Sequence, residues 1–123
     1  MFGEAQKYCV AVTALLGRSS MRRDSKLFKQ IVDANESILA NMDEGFVQES
    51  DDEFARFLYY SKGSVAEVMR RLRRAAATGQ VDPNGVKLLI DHAEMLGRML
   101  GGFIKYLKRS GFKDRGRFRF MNT

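Results

Sequence analysis

The sequence has only one proline, one cysteine and one histidine. It has one proline and no tryptophan in 123 residues, so long stretches are free to form helices. The single cysteine, Cys9, has no partner for an internal disulfide, which predicts a reducing, cytoplasmic environment. The single histidine, His92, has no glutamate three residues before it. This excludes di-iron sites and most zinc sites of helical bundles, and we predict no metal and no cofactor.

Long apolar runs are also missing. No uninterrupted apolar segment approaches the roughly 20 residues that span a bilayer. The start of the chain lacks the basic region and apolar core of a signal peptide. Hydrophobic residues make up 45% and charged residues 29% of the chain, which is typical of one globular domain. The sequence therefore predicts a protein without membrane contact.

Apolar residues instead recur at spacings of three and four, which is typical of amphipathic helices. Ser50 and Glu53 match a capping box, and Pro83 suits the first position of a helix. Gly45 is expected to end the second helix in a left-handed conformation. The predicted helices cover about Glu4 to Leu16, about Ser25 to Phe46, Ser50 to Ala77, and Asp82 to about Ser110.

Short connectors favour antiparallel neighbours. The predicted fold is therefore an all-α, antiparallel up-down four-helix bundle over residues 1–111, followed by a basic C-terminal tail over residues 112–123. The fourth helix has more apolar surface than the roughly 100° of arc that one core needs. The excess predicts an oligomer interface, and a broad core face is the alternative. The interface would comprise Met95, Met99, Phe103 and Tyr106.

Positive charge is concentrated in the second half of the chain. Residues 1–60 carry 7 Lys or Arg against 10 Asp or Glu, a net −3, whereas residues 61–123 carry 14 against 5, a net +9. Localised positive charge indicates a polyanionic partner, and a merely solvated basic surface is the alternative. The predicted nucleic-acid contacts are Arg70, Arg71, Arg73 and Arg74; Lys105, Lys108 and Arg109; and, in the tail, Lys113, Arg115, Arg117 and Arg119.

Arginine alternates with phenylalanine in the tail, a pattern that fits phosphate contact and base stacking. An arm packed on a neighbouring subunit and a disordered end are the alternatives. The two helix-end clusters also suit the negative end of a helix dipole, which is their purely structural explanation.

Several polar residues fall on otherwise apolar faces of the second and third helices. Because buried polar groups need hydrogen-bond partners, we predict a structural polar network there. The alternative is acid–base catalysis by Glu44 and Glu67, but no nucleophile or cleft motif accompanies them. We predict no catalytic residue and no enzymatic activity. The predicted network comprises Asn41, Glu44, Tyr60, Ser64 and Glu67.

Three blocks of residues between about 27 and 72 resemble a known family. They are Gln30, Ala34, Ser37, Ile38, Asn41, Glu44 and Gly45; Ser50, Glu53, Phe54, Arg56, Phe57 and Leu58; and Gly63, Ser64 and Glu67. Their order and spacing are similar to those of four-helix-bundle proteins encoded within intervening sequences of bacterial 23S ribosomal RNA genes. The accessory (Avd) proteins of diversity-generating retroelements are related to these. Asp33, Met42 and Asp43 depart from the family pattern.

The resemblance implies a ring-like homo-oligomer, most specifically a homopentamer. Through the Avd proteins it also implies binding of RNA or DNA and partnership with a reverse transcriptase. We therefore predict a non-enzymatic homo-oligomeric scaffold that binds nucleic acid through its basic surface. The alternative is a structural or protein-interaction scaffold with no affinity for nucleic acid.

Overall fold

The computed structural model describes residues 1–109, which form four α-helices joined by short connectors. Helix α1 spans Phe2–Gly17, α2 spans Lys26–Phe46, α3 spans Asp51–Ala77 and α4 spans Pro83–Arg109. No strand occurs in this part of the chain. The predicted all-α class and four helices are confirmed, with bounds that agree to within a residue or two. The predicted tail lies outside the described residues.

Contacts between α2 and α3 show that these helices run antiparallel. The hydroxyl of Ser61 donates to the backbone carbonyl of Ile38 over 2.8 Å. Further along α3, the Arg71 guanidinium donates to the Gln30 side chain, also over 2.8 Å. Because the later residue on α3 contacts the earlier residue on α2, the two helices run in opposite directions.

The other neighbouring pairs are also antiparallel. At the start of α1, the ring of Phe2 meets that of Phe46, at the end of α2, with centroids 5.9 Å apart. At the end of α1, Leu15 packs against Gly85, at the start of α4. The start of α3 and the end of α4 line one groove. The four helices therefore form an up-down bundle in which α1 and α3 each lie beside both α2 and α4.

Helices α2, α3 and α4 begin at capping residues where the sequence pattern placed their starts. Ser25, Ser50 and Asp82 each accept a hydrogen bond from a backbone amide two or three residues later, at 3.2, 3.0 and 3.2 Å. Such bonds satisfy amides that have no partner within the helix. Past the end of α3, Gly79 has a φ of 74°, and the next residue donates its N–H to the carbonyl of Ala75 over 2.9 Å. This pairing is a Schellman motif.

Gly45 serves helix packing and does not end α2 in a left-handed conformation, so that expectation was wrong. In the described chain only Gly79 has a positive φ, and Gly45 lies buried inside α2. A Cβ at Gly45 would lie 2.8 Å from the Cβ of Phe57 and 3.0 Å from Cδ1 of Phe54. The missing side chain therefore allows α2 to approach α3 closely.

One apolar core runs the length of the bundle. Full burial of one large apolar side chain stabilises the fold by about 1.5–3 kcal/mol relative to leaving that side chain exposed. None of the helices within residues 1–109 is both long and apolar enough to cross a bilayer. The largest fully buried apolar side chains include Ile31, Ile38, Met42, Leu58, Leu72, Leu96 and Leu100.

Helix α1 is only partly covered by the bundle. It has no charged residue between Tyr8 and Gly17, so it is apolar on nearly every side. Such helices are usually buried all round, yet Val10 on the outer face is 64% exposed. The solvent-facing side of α1 therefore exposes apolar side chains.

Candidate nucleic-acid interface

The basic residues predicted to contact nucleic acid lie at the two ends of the α3–α4 pair. Because these helices are antiparallel, the cluster ending α3 and the cluster ending α4 occupy opposite ends of the bundle, as expected. Within residues 1–109 none of the exposed members forms an ion pair. They are therefore available to an anionic partner. The exposed members are Arg70, Arg73, Arg74, Lys105, Lys108 and Arg109.

Arg71 is different, and the structure corrects its predicted role. Its side chain is only 21% exposed. Its guanidinium donates to the Glu67 carboxylate over 2.9 and 3.2 Å and to Gln30 over 2.8 Å. These bonds tie α3 to α2, so Arg71 is a structural residue rather than a free cation. The predicted tail contacts at 113, 115, 117 and 119 lie outside the described residues.

A groove between α3 and α4 contains Lys62 and Arg98, two cations that sequence reasoning missed, beside Lys105, which was predicted as a nucleic-acid contact. Its charged lining consists of Lys62, Arg98 and Lys105 against one carboxylate, Glu94. The volume of the groove is about 570 Å³. None of the three cations forms an ion pair in the part of the chain that is described. The only sequence signal was the seven-residue spacing of Arg98 and Lys105, which places both on one face of α4.

Toward the end of α4 the same interhelical surface carries an exposed aromatic ring. Tyr59 on α3 is 66% exposed and lines a second depression together with Arg56, Ile104 and Lys108. Asp52 is the carboxylate in this lining. Sequence reasoning passed over Tyr59 because Tyr60, beside it, matched the polar pattern.

The predicted polar network does not form among its five members in the described chain. Asn41 donates to the Ser37 carbonyl within α2, Glu44 pairs with Gln48 on the same side of the bundle, and the Tyr60 ring packs on Phe57. Among the described residues, the side-chain hydrogen bonds between α2 and α3 are instead those of Ser61 and Arg71. Ser64 is half-buried, and only Glu67 takes part, through Arg71. The members lie on two helices and are separated by the helical rise along the bundle.

That separation also bears on the catalytic alternative. Arg71 bonds to both Glu67 and Gln30, so Glu67 lies at the height of Gln30 along the bundle. Glu44 lies at the other end of α2, beside Gly45, which packs on Phe57. At about 1.5 Å per residue, Gln30 and Glu44 are roughly 20 Å apart along α2. The two carboxylates therefore do not share one site.

The predicted interface residues on α4 divide into two groups. Phe103 packs inside the subunit, with its ring centroid 5.7 Å from that of Phe54. Met95 and Met99 are half-buried, and Tyr106 is 60% exposed. Leu88, which the prediction omitted, is 72% exposed. These last four positions form the outer stripe of α4, which runs along one face of the helix.

Cys9 is buried, and burial raises the pKa of its thiol to about 11. Its Sγ donates to the carbonyl of Asn35 at 3.6 Å. His92 lies 3.3 Å from a carboxylate oxygen of Glu4 and stacks edge-on against Tyr8. Among residues 1–109, no three His, Cys, Asp or Glu side chains come together in a manner suited to a metal ion.

Comparison with known families agrees with the three sequence blocks. The model of the 23S rRNA-intervening sequence protein family matches residues 1–102. The chain belongs to this family. The match extends well beyond the blocks, which lie between about 27 and 72, and includes helix α1. A search of curated proteins finds no match.

The boundaries of the family match divide the candidate interface. Lys62, the α3 cluster and Arg98 lie within the matched residues 1–102. Lys105, Lys108 and Arg109 lie beyond them, in the last turns of α4. The basic end of α4 therefore adjoins the family region without being part of the match.

Proposed function

We propose that this 23S rRNA-intervening sequence family member is a non-enzymatic, homo-oligomeric scaffold that binds nucleic acid through the basic surface of α3 and α4. The observation that carries the proposal is the set of exposed cations on these helices that form no ion pair with any carboxylate of residues 1–109. Unpaired lysines and arginines on one surface favour a polyanion. Phosphate groups release condensed counterions on contact with such residues, which makes binding strong at low salt.

The test is binding of RNA and single-stranded DNA by fluorescence anisotropy across a salt series, with protein of measured oligomeric state. We expect affinity that falls steeply as salt rises, because each phosphate contact contributes to the salt slope. Replacing Lys113, Arg115, Arg117 and Arg119 with glutamine separates the contribution of the tail from that of the bundle. No binding at low salt by a folded oligomer would contradict the proposal.

The homo-oligomer is supported by the outer stripe of α4. Leu88, Met95, Met99 and Tyr106 leave apolar surface exposed along the helix, and contiguous patches of this kind commonly mark interfaces. The resemblance to ring-forming proteins suggests five subunits. Sedimentation equilibrium should give a single oligomer, and the double variant Met95→Glu, Met99→Glu should dissociate it while circular dichroism retains the helical signal. A wild-type monomer at high concentration would refute this part.

The same stripe favours a second candidate function, a protein-interaction scaffold with no affinity for nucleic acid. In that case the basic surface serves solubility and the stripe binds other chains. An intact oligomer that binds no nucleic acid at any salt concentration would favour this candidate. A more specific form of the first function is an accessory protein that holds RNA for a reverse transcriptase. A reverse-transcriptase gene beside the gene for this chain would support it.

A further inference from the structure

The groove between α3 and α4 carries three cations, and the second depression beside it, between the start of α3 and the end of α4, carries the aromatic ring of Tyr59. On the α3 wall, Lys62 extends across the groove, and its Nζ lies 3.4 Å from the point where a Cβ on Gly101 would stand. On the α4 wall, Arg98 and Lys105 lie one on each side of Gly101 in the sequence. The ammonium group of Lys62 is thus held over a floor that has no side chain at Gly101.

The cations of the groove are arranged along its length. Arg98 and Lys105 are two helical turns apart on α4, which is roughly 10 Å, and Lys62 faces them from α3. Beyond Lys105 the surface continues to Lys108 and the exposed Tyr59. Cations in a row and an open aromatic ring at one end follow the direction of the helices.

Single strands of nucleic acid are recognised by this combination. A positively charged groove follows the phosphates, while aromatic side chains stack on successive bases. In a duplex the bases are already paired and stacked, so Tyr59 would have nothing to contact. An acidic peptide would satisfy the cations but would make no specific use of an exposed phenol ring.

We propose that the α3–α4 groove binds a single strand of RNA or DNA, with phosphates on Lys62, Arg98 and Lys105 and an unpaired base stacked on Tyr59. This inference rests on the proposed nucleic-acid function and narrows it to one site and one strand state. Glu94 lines the groove and Asp52 lines the depression that contains Tyr59. These two carboxylates oppose strand binding only weakly because the cations outnumber them.

The first test separates stacking from charge. Fluorescein-labelled single strands of 20 thymidine or uridine nucleotides are compared by anisotropy with a hairpin duplex carrying the same number of phosphates. Tyr59→Leu should weaken single-strand binding at least about 5-fold and leave duplex binding unchanged. Tyr60→Leu is the matched control, since that ring packs on Phe57 on the other side of α3. Equal behaviour of the two variants would overturn the inference.

The second test compares the contribution of the groove cations to binding with that of exposed cations elsewhere on the bundle. The triple variant Lys62→Gln, Arg98→Gln, Lys105→Gln should lower affinity and reduce the salt slope for a single strand by about 2. The control, Arg18→Gln, Lys26→Gln, Lys29→Gln, removes the same charge from exposed positions on the α1–α2 side and should change affinity much less. Thermal melting followed by circular dichroism verifies that both triples fold.

The outcomes distinguish this inference from the function on which it rests. Equal losses in the two triple variants would overturn the groove site while nucleic-acid binding stands. A change of oligomeric state in the groove variant alone would also overturn it, because a second copy would then occupy the groove. Failure of the wild-type oligomer to bind any strand at low salt would overturn both.

Discussion

Two glycines in this bundle should respond to the same substitution in opposite directions. At Gly45, an added methyl group would lie 2.8 Å from the Cβ of Phe57 and 3.3 Å from the carbonyl oxygen of Phe54. Neither atom belongs to a flexible chain end, so α2 and α3 must move apart. Overpacking of this kind costs about 1–3 kcal/mol, and the better helix propensity of alanine returns up to about 1 kcal/mol. Gly45→Ala should therefore destabilise the fold by roughly 1–2 kcal/mol.

At Gly97, an added Cβ would meet no atom of residues 1–109 within 4 Å. Only the helix propensity changes, so Gly97→Ala should stabilise the fold by about 0.5–1 kcal/mol. Urea unfolding followed by circular dichroism measures both, at one protein concentration because association shifts apparent stability. The m-values should match the wild type. A Gly45→Ala protein as stable as the wild type would refute the close approach of α2 and α3, and a destabilised Gly97→Ala protein would refute the open surface at Gly97.

Three further predictions concern buried and half-buried polar groups. The Tyr8 hydroxyl is fully buried and has no hydrogen-bond partner in the described residues, so Tyr8→Phe should stabilise the fold by up to about 1 kcal/mol in thermal melts. Burial raises the Cys9 pKa from 9.0 to about 11, so the unfolded thiol ionises first. Stability present below pH 9 should fall by on the order of 2 kcal/mol toward pH 11, and by less in Cys9→Ala, in urea titrations across pH. Arg71→Gln should cost about 1–2 kcal/mol because Glu67 loses its partner, whereas Arg73→Gln should leave stability unchanged and weaken nucleic-acid binding in anisotropy.

The fold could be predicted because its signals are local. Capping side chains at Ser25, Ser50 and Asp82 and the apolar spacing between them define each helix without reference to its neighbours. Short connectors then leave few arrangements other than antiparallel packing. The family blocks lie in α2 and α3, the helices whose close contact depends on Gly45.

The site was harder to predict because it depends on which helix faces meet. Four arginines at the end of α3 look equivalent in the sequence. Arg71, however, bonds to Gln30 on α2 and to Glu67, whereas Arg73 forms no ion pair within residues 1–109. Lys62 stands alone in the sequence and becomes part of a basic groove only when α4 places Arg98 and Lys105 opposite. Tyr59 and Tyr60 are neighbours in the chain, but Tyr59 lies beside α4 whereas the Tyr60 ring packs on Phe57 of its own helix. No single-helix pattern contains this information.

The geometry of α4 allows assembly and strand binding to take place together. Leu88, Met95, Met99 and Tyr106 differ by seven, four and seven positions, which at about 100° per residue keeps them within about 40° of one another. The cations at Arg98 and Lys105 lie about 80–100° further round the helix. A subunit docked on the outer stripe would leave the groove uncovered, and a closed oligomer would repeat the groove in every subunit. A strand long enough to reach two grooves then gains from effective concentration, so a dissociated variant with an intact groove should bind long strands far more weakly than the oligomer while short strands bind equally.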